Sequence, residues 1–314
     1  MRIAVVGAGG VGGFFGGKLA HAGIDTTFLV RGATLDALRS RGLRVDSIDG
    51  DFVMEHVNAT DDPSSVGIVD AILMAVKAWQ IPEAARRLAP MIGPDTAVVP
   101  LENGIDAADV LAGIVGREHV LGGLCAIVSF VVAPGHVRHA ASPPLVMFGE
   151  LDNSHSDRVA RLREAFQRAG IHAEVPQDIH RSLWTKFLFI APMSGVGALT
   201  RVSIGEWRVL PEVRAIVDRA LHEVVALATA RGIDLGNDPV GKTWERYDAL
   251  APASTSSLQR DVMEGKPSEL EAQLGAIVKL GRESDVPVPV TEMLYHCLLP
   301  QERKARANTL QPAS

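Results

Sequence analysis

The most constraining feature of the chain is a glycine-rich turn near its N-terminus. Gly7-Ala8-Gly9-Gly10-Val11-Gly12 fits the pattern G-x-G-x-x-G, follows a short apolar run and opens a segment with apolar residues at helical spacing. In such a turn Gly7 takes the tight bend, Gly9 lets a pyrophosphate approach the backbone, and Gly12 lets the helix pack on the strand. Gly10 is expected to be a further contact, at the helix start whose N–H groups favour an anion. The motif predicts a dinucleotide site, although glycine-rich turns also serve ordinary strand-to-helix connections.

Strand-like and helical segments continue to alternate beyond this turn. Further strand-like runs lie at 26–30, 68–76, 97–101, 124–132 and 171–175, with an edge hairpin expected at 143–149. Lone strands separated by helices are typical of a doubly wound, mostly parallel sheet. After Pro176 helical patterns take over up to about Cys297, and we expect the polar tail beyond Pro300 to be mobile. The sequence therefore predicts an α/β protein with a Rossmann-type domain over residues 1–176 and an all-α domain over 177–314.

Composition narrows the range of partners. The chain has 31 Lys and Arg against 37 Asp and Glu, a net charge of -6, and so lacks the basic excess that nucleic acid binding requires. The apolar run at 124–132 is far shorter than the ~20 residues that span a bilayer. Two cysteines and 10 histidines show no metal-ligand spacing. We expect a cytoplasmic protein with a small-molecule ligand and no nucleic acid, membrane or metal partner.

Three polar residues lie at or just beyond the carboxyl ends of predicted strands, at the edge where open α/β sheets bind ligands. Arg31 stands where an NAD site would place an Asp or Glu, and its guanidinium could hold the 2′-phosphate of NADP by charge-assisted hydrogen bonds. Lys77 and Asn103 follow the strands at 68–76 and 97–101 and could face the same cofactor. NADP (NADPH) is thus favoured over NAD. The open alternatives are solvated Arg31 and Lys77 side chains and an ordinary Asn-Gly turn.

The helical part contains three further polar positions of interest. Lys186 interrupts an apolar helical segment, so we expect its ammonium to be partly desolvated and competent as an acid. Alternatively, its stem lies on apolar surface with the head in water. Glu269 shares a helix face with Gln273, which a solvated stripe would also explain, and Ser257 follows Ser256 in a pattern resembling a capping box.

Taken in order along the chain, these motifs resemble those of the ketopantoate reductases (2-dehydropantoate 2-reductases), members of the 6-phosphogluconate-dehydrogenase-like group. The resemblance covers nearly the whole chain. Besides the glycine turn and Glu269, it is carried by Leu29-Val30-Arg31, Lys77-Ala78-Trp79-Gln80, Glu102-Asn103-Gly104, Leu183-Trp184-Thr185-Lys186, and Ser256-Ser257 to Asp261.

The resemblance implies an enzyme that uses NADPH to reduce a 2-keto acid, by default ketopantoate to pantoate, in a cleft between the two domains. Lys186 would be the acid that protonates the keto oxygen as hydride arrives, and Glu269 would hold Lys186 and a substrate hydroxyl. Ser257 would contact the substrate carboxylate. Lys77 and Asn103 would position the nicotinamide ribose and the reacting carbonyl. A homodimer is compatible with this interpretation, which does not fix the oligomeric state.

One departure from the family pattern concerns the substrate. Ketopantoate-reducing members usually carry Asn one and two helical turns after the catalytic lysine, where this chain has Ile190 and Ser194. These two positions are the expected substrate-binding wall, and an isoleucine cannot donate a hydrogen bond. The sequence therefore leaves open a reductase of a bulkier or more apolar 2-keto acid. A non-catalytic NADP-binding sensor is the other alternative, against which the presence of Lys186 and Glu269 argues.

Overall fold

The computed structural model describes residues 1–310, which group into two compact units. The first unit comprises residues 1–102 and 107–180, and the second comprises 103–106 together with the chain from Arg181 onward. The domain boundary predicted near Pro176 lies shortly before Arg181. No feature of the sequence indicated that the short segment Asn103–Asp106 would group with the helical part.

Every strand in the described part of the chain belongs to the first unit. In chain order the strands are β1 (Arg2–Val6), β2 (Asp25–Leu29), β3 (Leu43–Ser47), β4 (Phe52–Met54), β5 (Asn58–Thr60), β6 (Ala71–Met74), β7 (Ala97–Pro100), β8 (Leu121–Ala133), β9 (His136–Glu150) and β10 (His172–Glu174).

The helices extend over both units. They are α1 (Gly10–His21), α2 (Gly32–Arg41), α3 (Ile81–Ala85), α4 (Ala107–Val115), α5 (Asp157–Arg168), α6 (Ile179–Thr200), α7 (Ile204–Trp207), α8 (Pro211–Ala230), α9 (Pro239–Ala249), α10 (Ser257–Met263), α11 (Ala276–Glu283) and α12 (Pro289–Leu310). A π-helical turn, Glu271–Gly275, precedes α11.

A five-stranded parallel sheet organises the first unit, with strand order β5-β2-β1-β6-β7. Strands β6 and β7 are buried along their whole length, as expected for parallel strands covered on both faces. The chain runs from β1 to one side through β2 and returns to the other side through β6. Strand β1 therefore lies at the topological switch point where such sheets bind ligands. This arrangement confirms the predicted doubly wound α/β fold.

A second sheet, in the order β10-β9-β3-β4 with β8 paired to β9, was not predicted. Its main feature is a long antiparallel hairpin of β8 and β9 that turns at Pro134-Gly135, so the hairpin expected at 143–149 was misplaced. Pro143-Pro144 instead lies inside β9. On that side β9 pairs with β3 over 136–139 and with β10 over 145–147, so the prolines lie between these two ladders.

The second unit is helical, as predicted, with a core of its own. By length and composition, α6 is the one helix of residues 1–310 that could cross a membrane, and the sequence patterns had not indicated a span at this apolar segment. However, 61% of its apolar window is buried inside the protein, as in the core helix of a soluble domain. The expectation of a mobile tail after Pro300 is wrong as far as residue 310, because α12 continues through that proline and buries Glu302 and Ala305.

Candidate functional site

The glycine turn has the geometry that its sequence predicts. Gly7 has φ +91°, and a Cβ there would lie 2.9 Å from the Ala75 carbonyl oxygen. A Cβ on Gly12 would collide with the Gly7 carbonyl oxygen, and one on Gly10 would lie 2.6 Å from the Ser129 carbonyl oxygen. In contrast, a Cβ on Gly9 would meet nothing within 4 Å. Three glycines are thus required by packing, while Gly9 leaves open space above the turn.

Helix α1 begins in this turn without a capping side chain and without an acidic residue in its first turn. The first N–H groups of a helix have no intrahelical acceptor and carry a partial positive charge. The open space at Gly9 and these donors together suit a pyrophosphate, so the residues present fit a dinucleotide.

An open pocket of about 240 Å³ lies beside the turn, at the carboxyl ends of β1, β2 and β6. Of the predicted cofactor residues, Gly7, Gly9 and Arg31 line it. The lining also includes Glu83 and Arg87, which the sequence analysis did not single out. Both follow the Lys-Ala-Trp-Gln motif at a spacing of four, which was the available signal for a shared helical face.

Arg31 is not free in this pocket. It precedes α2, and its Nη1 atom donates to Glu83 Oε1 at 2.8 Å, with the two side chains 63% and 61% exposed. Arg87 donates from Nη2 to the backbone carbonyl of Asp61. The pocket therefore holds two guanidinium groups and one carboxylate.

Lys77 lies in the loop after β6 and does not line this pocket. Its backbone N–H donates to Gln80 Oε1 at 3.2 Å, and its Nζ atom lies 5.8 Å from the centroid of the Trp79 ring. The residues of the Lys-Ala-Trp-Gln motif thus stabilise their own turn. The role of Lys77 toward a cofactor stays a prediction.

In the second unit, Asn103 contacts Glu269, which lies 166 positions later in the chain. The Asn103 side chain donates from Nδ2 to Glu269 Oε2 at 3.4 Å, and Glu269 is only 6% exposed. Gly104 has φ +138°, and a Cβ there would lie 2.9 Å from the Ala272 carbonyl oxygen. The Asn-Gly turn therefore packs directly on the π-helical turn that follows Glu269, and only glycine fits this approach.

A buried network next to Glu269 involves the end of the chain. The Ser268 backbone N–H donates to both carboxylate oxygens of Glu302, at 3.2 and 3.0 Å, and its hydroxyl donates at 2.6 Å. Arg306 pairs with Glu302 at 2.7 Å and donates to the Ser268 carbonyl at 3.1 Å. These contacts anchor α12 and fix the backbone immediately before Glu269. No sequence pattern indicated these contacts, because a polar segment after Pro300 is typical of a tail.

Helix α6 carries three predicted residues in different environments. Lys186 is half-buried, and its ammonium forms no hydrogen bond or ion pair with another described residue, so the expected Lys186–Glu269 contact stays a prediction. Ile190 is also half-buried and packs against the core of the unit. Ser194 is fully buried, and its hydroxyl has no partner among the described residues. Ile190 is therefore the more accessible of the two proposed substrate-wall positions.

Ser257 is the first residue of α10. The preceding Ser256 is the N-cap, because its hydroxyl accepts from the Gln259 backbone N–H at 3.0 Å. The Gln259 side chain donates instead to the Val202 carbonyl, so only half of the expected capping box forms. Capping therefore accounts for Ser256, whereas the half-exposed Ser257 hydroxyl makes no hydrogen bond with the described residues.

A doubly wound sheet with a G-x-G-x-x-G turn at its switch point defines a dinucleotide-binding protein. The family description "Ketopantoate reductase PanE/ApbA" matches residues 3–153, and the description of its C-terminal part matches residues 178–302. The chain belongs to the ketopantoate reductase family.

Individual relatives are similar to this chain over nearly its full length. A 2-dehydropantoate 2-reductase of Mesorhizobium japonicum is 30% identical, covering 93% of this chain and 95% of its own length. The crystal structure of 2-dehydropantoate 2-reductase from Geobacter metallireducens has a TM-score of 0.89 at 29% identity, covering 96% of this chain and 99% of that one. A ternary structure of D-mandelate dehydrogenase with NADH and anilino(oxo)acetate has a TM-score of 0.87 at 22% identity, covering 98% and 100%, which is a likeness of fold alone.

Ketopantoate reductases are NADPH-dependent oxidoreductases that act on a CH–OH group, and this chain is one of them. Ketopantoate reduction is the activity that its full-length relatives support. Family membership thus favours the enzyme over the non-catalytic sensor.

Proposed function

We propose that this protein reduces ketopantoate to pantoate with Lys186 as the proton donor and with Asn103 and Glu269 as the groups that orient the substrate. The observation that carries the proposal is the contact of Asn103 with the buried Glu269 carboxylate inside the helical unit. A buried carboxylate needs partners. A substrate hydroxyl is a suitable further donor to Glu269.

When bound, NADPH supplies the hydride that adds to the keto carbon. Lys186 donates a proton to the keto oxygen, and its ammonium has no competing partner among the described residues. Ser257 donates its hydroxyl, which capping does not use, to the substrate carboxylate. Lys77 and Asn103 position the nicotinamide ribose and the carbonyl.

The cofactor would be held by the first unit. Gly9 and the first turn of α1 would hold the pyrophosphate, because a side chain is absent and N–H donors are available there. Arg31 would hold the adenosine 2′-phosphate in the adjoining pocket.

The test is an initial-rate assay with NADPH and ketopantoate on the wild type and on Glu269→Gln. The matched control is Glu271→Gln, which changes the same charge on the adjoining turn at an exposed position. We expect saturable turnover in the wild type and in Glu271→Gln, and strongly reduced turnover in Glu269→Gln. Wild-type protein that oxidises no NADPH with ketopantoate, or a Glu269→Gln variant that is fully active, would refute the proposal.

A second candidate is favoured by Ile190, which offers an apolar surface where the family usually has an amide. In that case the best substrate is a more apolar 2-keto acid, and a panel of 2-keto acids under the same assay conditions would identify it. Ketopantoate as the best substrate of the panel would exclude this candidate.

We also infer a cytoplasmic enzyme. The acidic balance of the chain and the burial of most of the apolar window of α6 support a water-soluble protein. Cell fractionation tests this inference, and a membrane-bound fraction would contradict it.

A further inference from the structure

Glu83 places a carboxylate in the cofactor pocket, and the family pattern did not predict one there. We propose that Glu83 competes with the 2′-phosphate of NADPH for Arg31 and thereby limits the preference of this protein for NADPH over NADH. The proposal rests on the proposed function only in assigning this pocket to the adenosine end of the cofactor.

Arg31 already forms an ion pair in this pocket. Arg31 is the residue predicted to bind the 2′-phosphate, and its guanidinium is already held by Glu83 at 2.8 Å. Both side chains are mostly exposed, and exposed ion pairs are weak. A phosphate dianion can therefore displace the carboxylate, but the affinity for NADPH is reduced by the competition.

Glu83 stays beside the pocket when its carboxylate is displaced. It lies in the first turn of α3, where its neighbours Ile81 and Ala85 are 2% exposed and pack in the core on one face of the parallel sheet. The helix is therefore fixed, and only the side chain of Glu83 can rotate. A displaced carboxylate stays near the bound phosphate, and the two negative charges repel each other.

Glu83 also affects the binding of NADH. NAD sites place an Asp or Glu at the end of the second strand to accept a hydrogen bond from the ribose 2′-hydroxyl. This chain has Arg31 there, yet Glu83 brings a carboxylate into the same pocket from a different element. Glu83 can thus accept from the 2′-hydroxyl of NADH, so the same residue weakens NADPH binding and supports NADH binding.

Arg87 favours NADPH over NADH in the same pocket. It lines the same pocket, and its guanidinium donates to a backbone carbonyl rather than to a carboxylate in the described residues. With Arg31, Arg87 and Glu83 together, the pocket keeps one net positive charge. NADPH is therefore preferred, but by less than two unpaired arginines would allow.

The experiment measures dissociation constants for NADPH and NADH by calorimetric titration, so that it does not depend on turnover. The variants are Glu83→Gln, Arg31→Ala and the double variant, with Glu118→Gln as the control for net charge because Glu118 is exposed and lies outside the pocket. Glu83→Gln should bind NADPH about three- to tenfold more tightly and NADH no more tightly than the wild type. In the Arg31→Ala background the gain for NADPH should be smaller, because only the repulsion between the Glu83 carboxylate and the phosphate remains, and Glu118→Gln should resemble the wild type.

Each outcome decides between the proposals. An unchanged NADPH to NADH ratio in Glu83→Gln, an equal gain for both cofactors, or a full gain without Arg31 overturns the competition but leaves the proposed function standing. A wild-type protein that binds neither cofactor overturns the proposed function and this inference together. Because Glu83 is exposed, its replacement by Gln tests charge without disturbing the core.

Discussion

Removing the Lys186 ammonium tests the proposed chemistry most directly. General acid catalysis contributes roughly 10²- to 10⁴-fold, or ~3 to 5 kcal/mol of transition-state stabilisation, so Lys186→Ala should lower kcat by that factor. The stability cost should be small, because the ammonium has no hydrogen bond or ion pair with the described residues and the stem is only half-buried. A change in the free energy of unfolding of about 1 kcal/mol is expected. A large fall in kcat would therefore report chemistry rather than unfolding.

The assay combines steady-state rates with NADPH titration. Lys186→Met keeps most of the apolar stem and should lose kcat like Lys186→Ala, while both retain wild-type affinity for NADPH. Lys279→Met, at an exposed position of α11, controls for the lost charge and should keep wild-type turnover. Wild-type kcat in either Lys186 variant would refute the assignment of the proton donor. Loss of NADPH affinity in step with kcat would show that Lys186 acts in binding instead.

Three further predictions concern the turn, the substrate wall and alkaline stability. Gly12→Ala should destabilise the fold and lower the Tm, because its Cβ would collide with the Gly7 carbonyl oxygen. Gly9→Ala should have the Tm of the wild type but bind NADPH more weakly. Equal Tm values for the two variants would contradict the packing argument. Ile190→Asn should raise kcat/KM for ketopantoate relative to an analogue lacking its hydroxyl by about three- to tenfold, and an unchanged ratio would remove Ile190 from the wall. Burial, followed by the hydrogen bond to the Glu271 carboxylate, raises the pKa of Tyr295 from 10.0 to about 12. The fold thus favours the neutral phenol, and this stabilisation is complete below pH 10 and lost as the pH rises through 12. In urea unfolding, the free energy of unfolding of Tyr295→Phe should therefore fall less over this pH range than that of the wild type. Identical pH profiles would contradict the prediction.

Local features of the sequence were sufficient for the cofactor turn. Gly7 and Gly12 are constrained by contacts with residues that are close in sequence or directly follow the neighbouring strand β6, and apolar runs separated by helical periodicity define a parallel sheet. The same reasoning misplaced the β8–β9 hairpin. Periodicity shows which residues are buried but does not show how far a strand extends, and the turn at Pro134-Gly135 became evident only from the ladder.

In helix α12, by contrast, the local sequence pattern gave the wrong prediction. A polar segment after a proline is typical of a tail, yet the second half of α12 is held by the buried Glu302. Its partner, Ser268, lies 34 residues earlier, so no local pattern could have indicated the contact. The burial of a carboxylate is explained only when its hydrogen-bond donors are known.

The sequence by itself determined the class of fold, the position of the dinucleotide turn and the candidate polar residues, because these depend on backbone conformation and on spacing within one element. Only the tertiary structure decided which candidates meet. Asn103 and Glu269 are 166 residues apart, and Arg31 and Glu83 are 52 apart. Such pairs are set by how whole elements pack, and packing depends on many distant side chains at once. The carboxylate that faces Arg31 was therefore visible in the sequence as a residue but not as a partner.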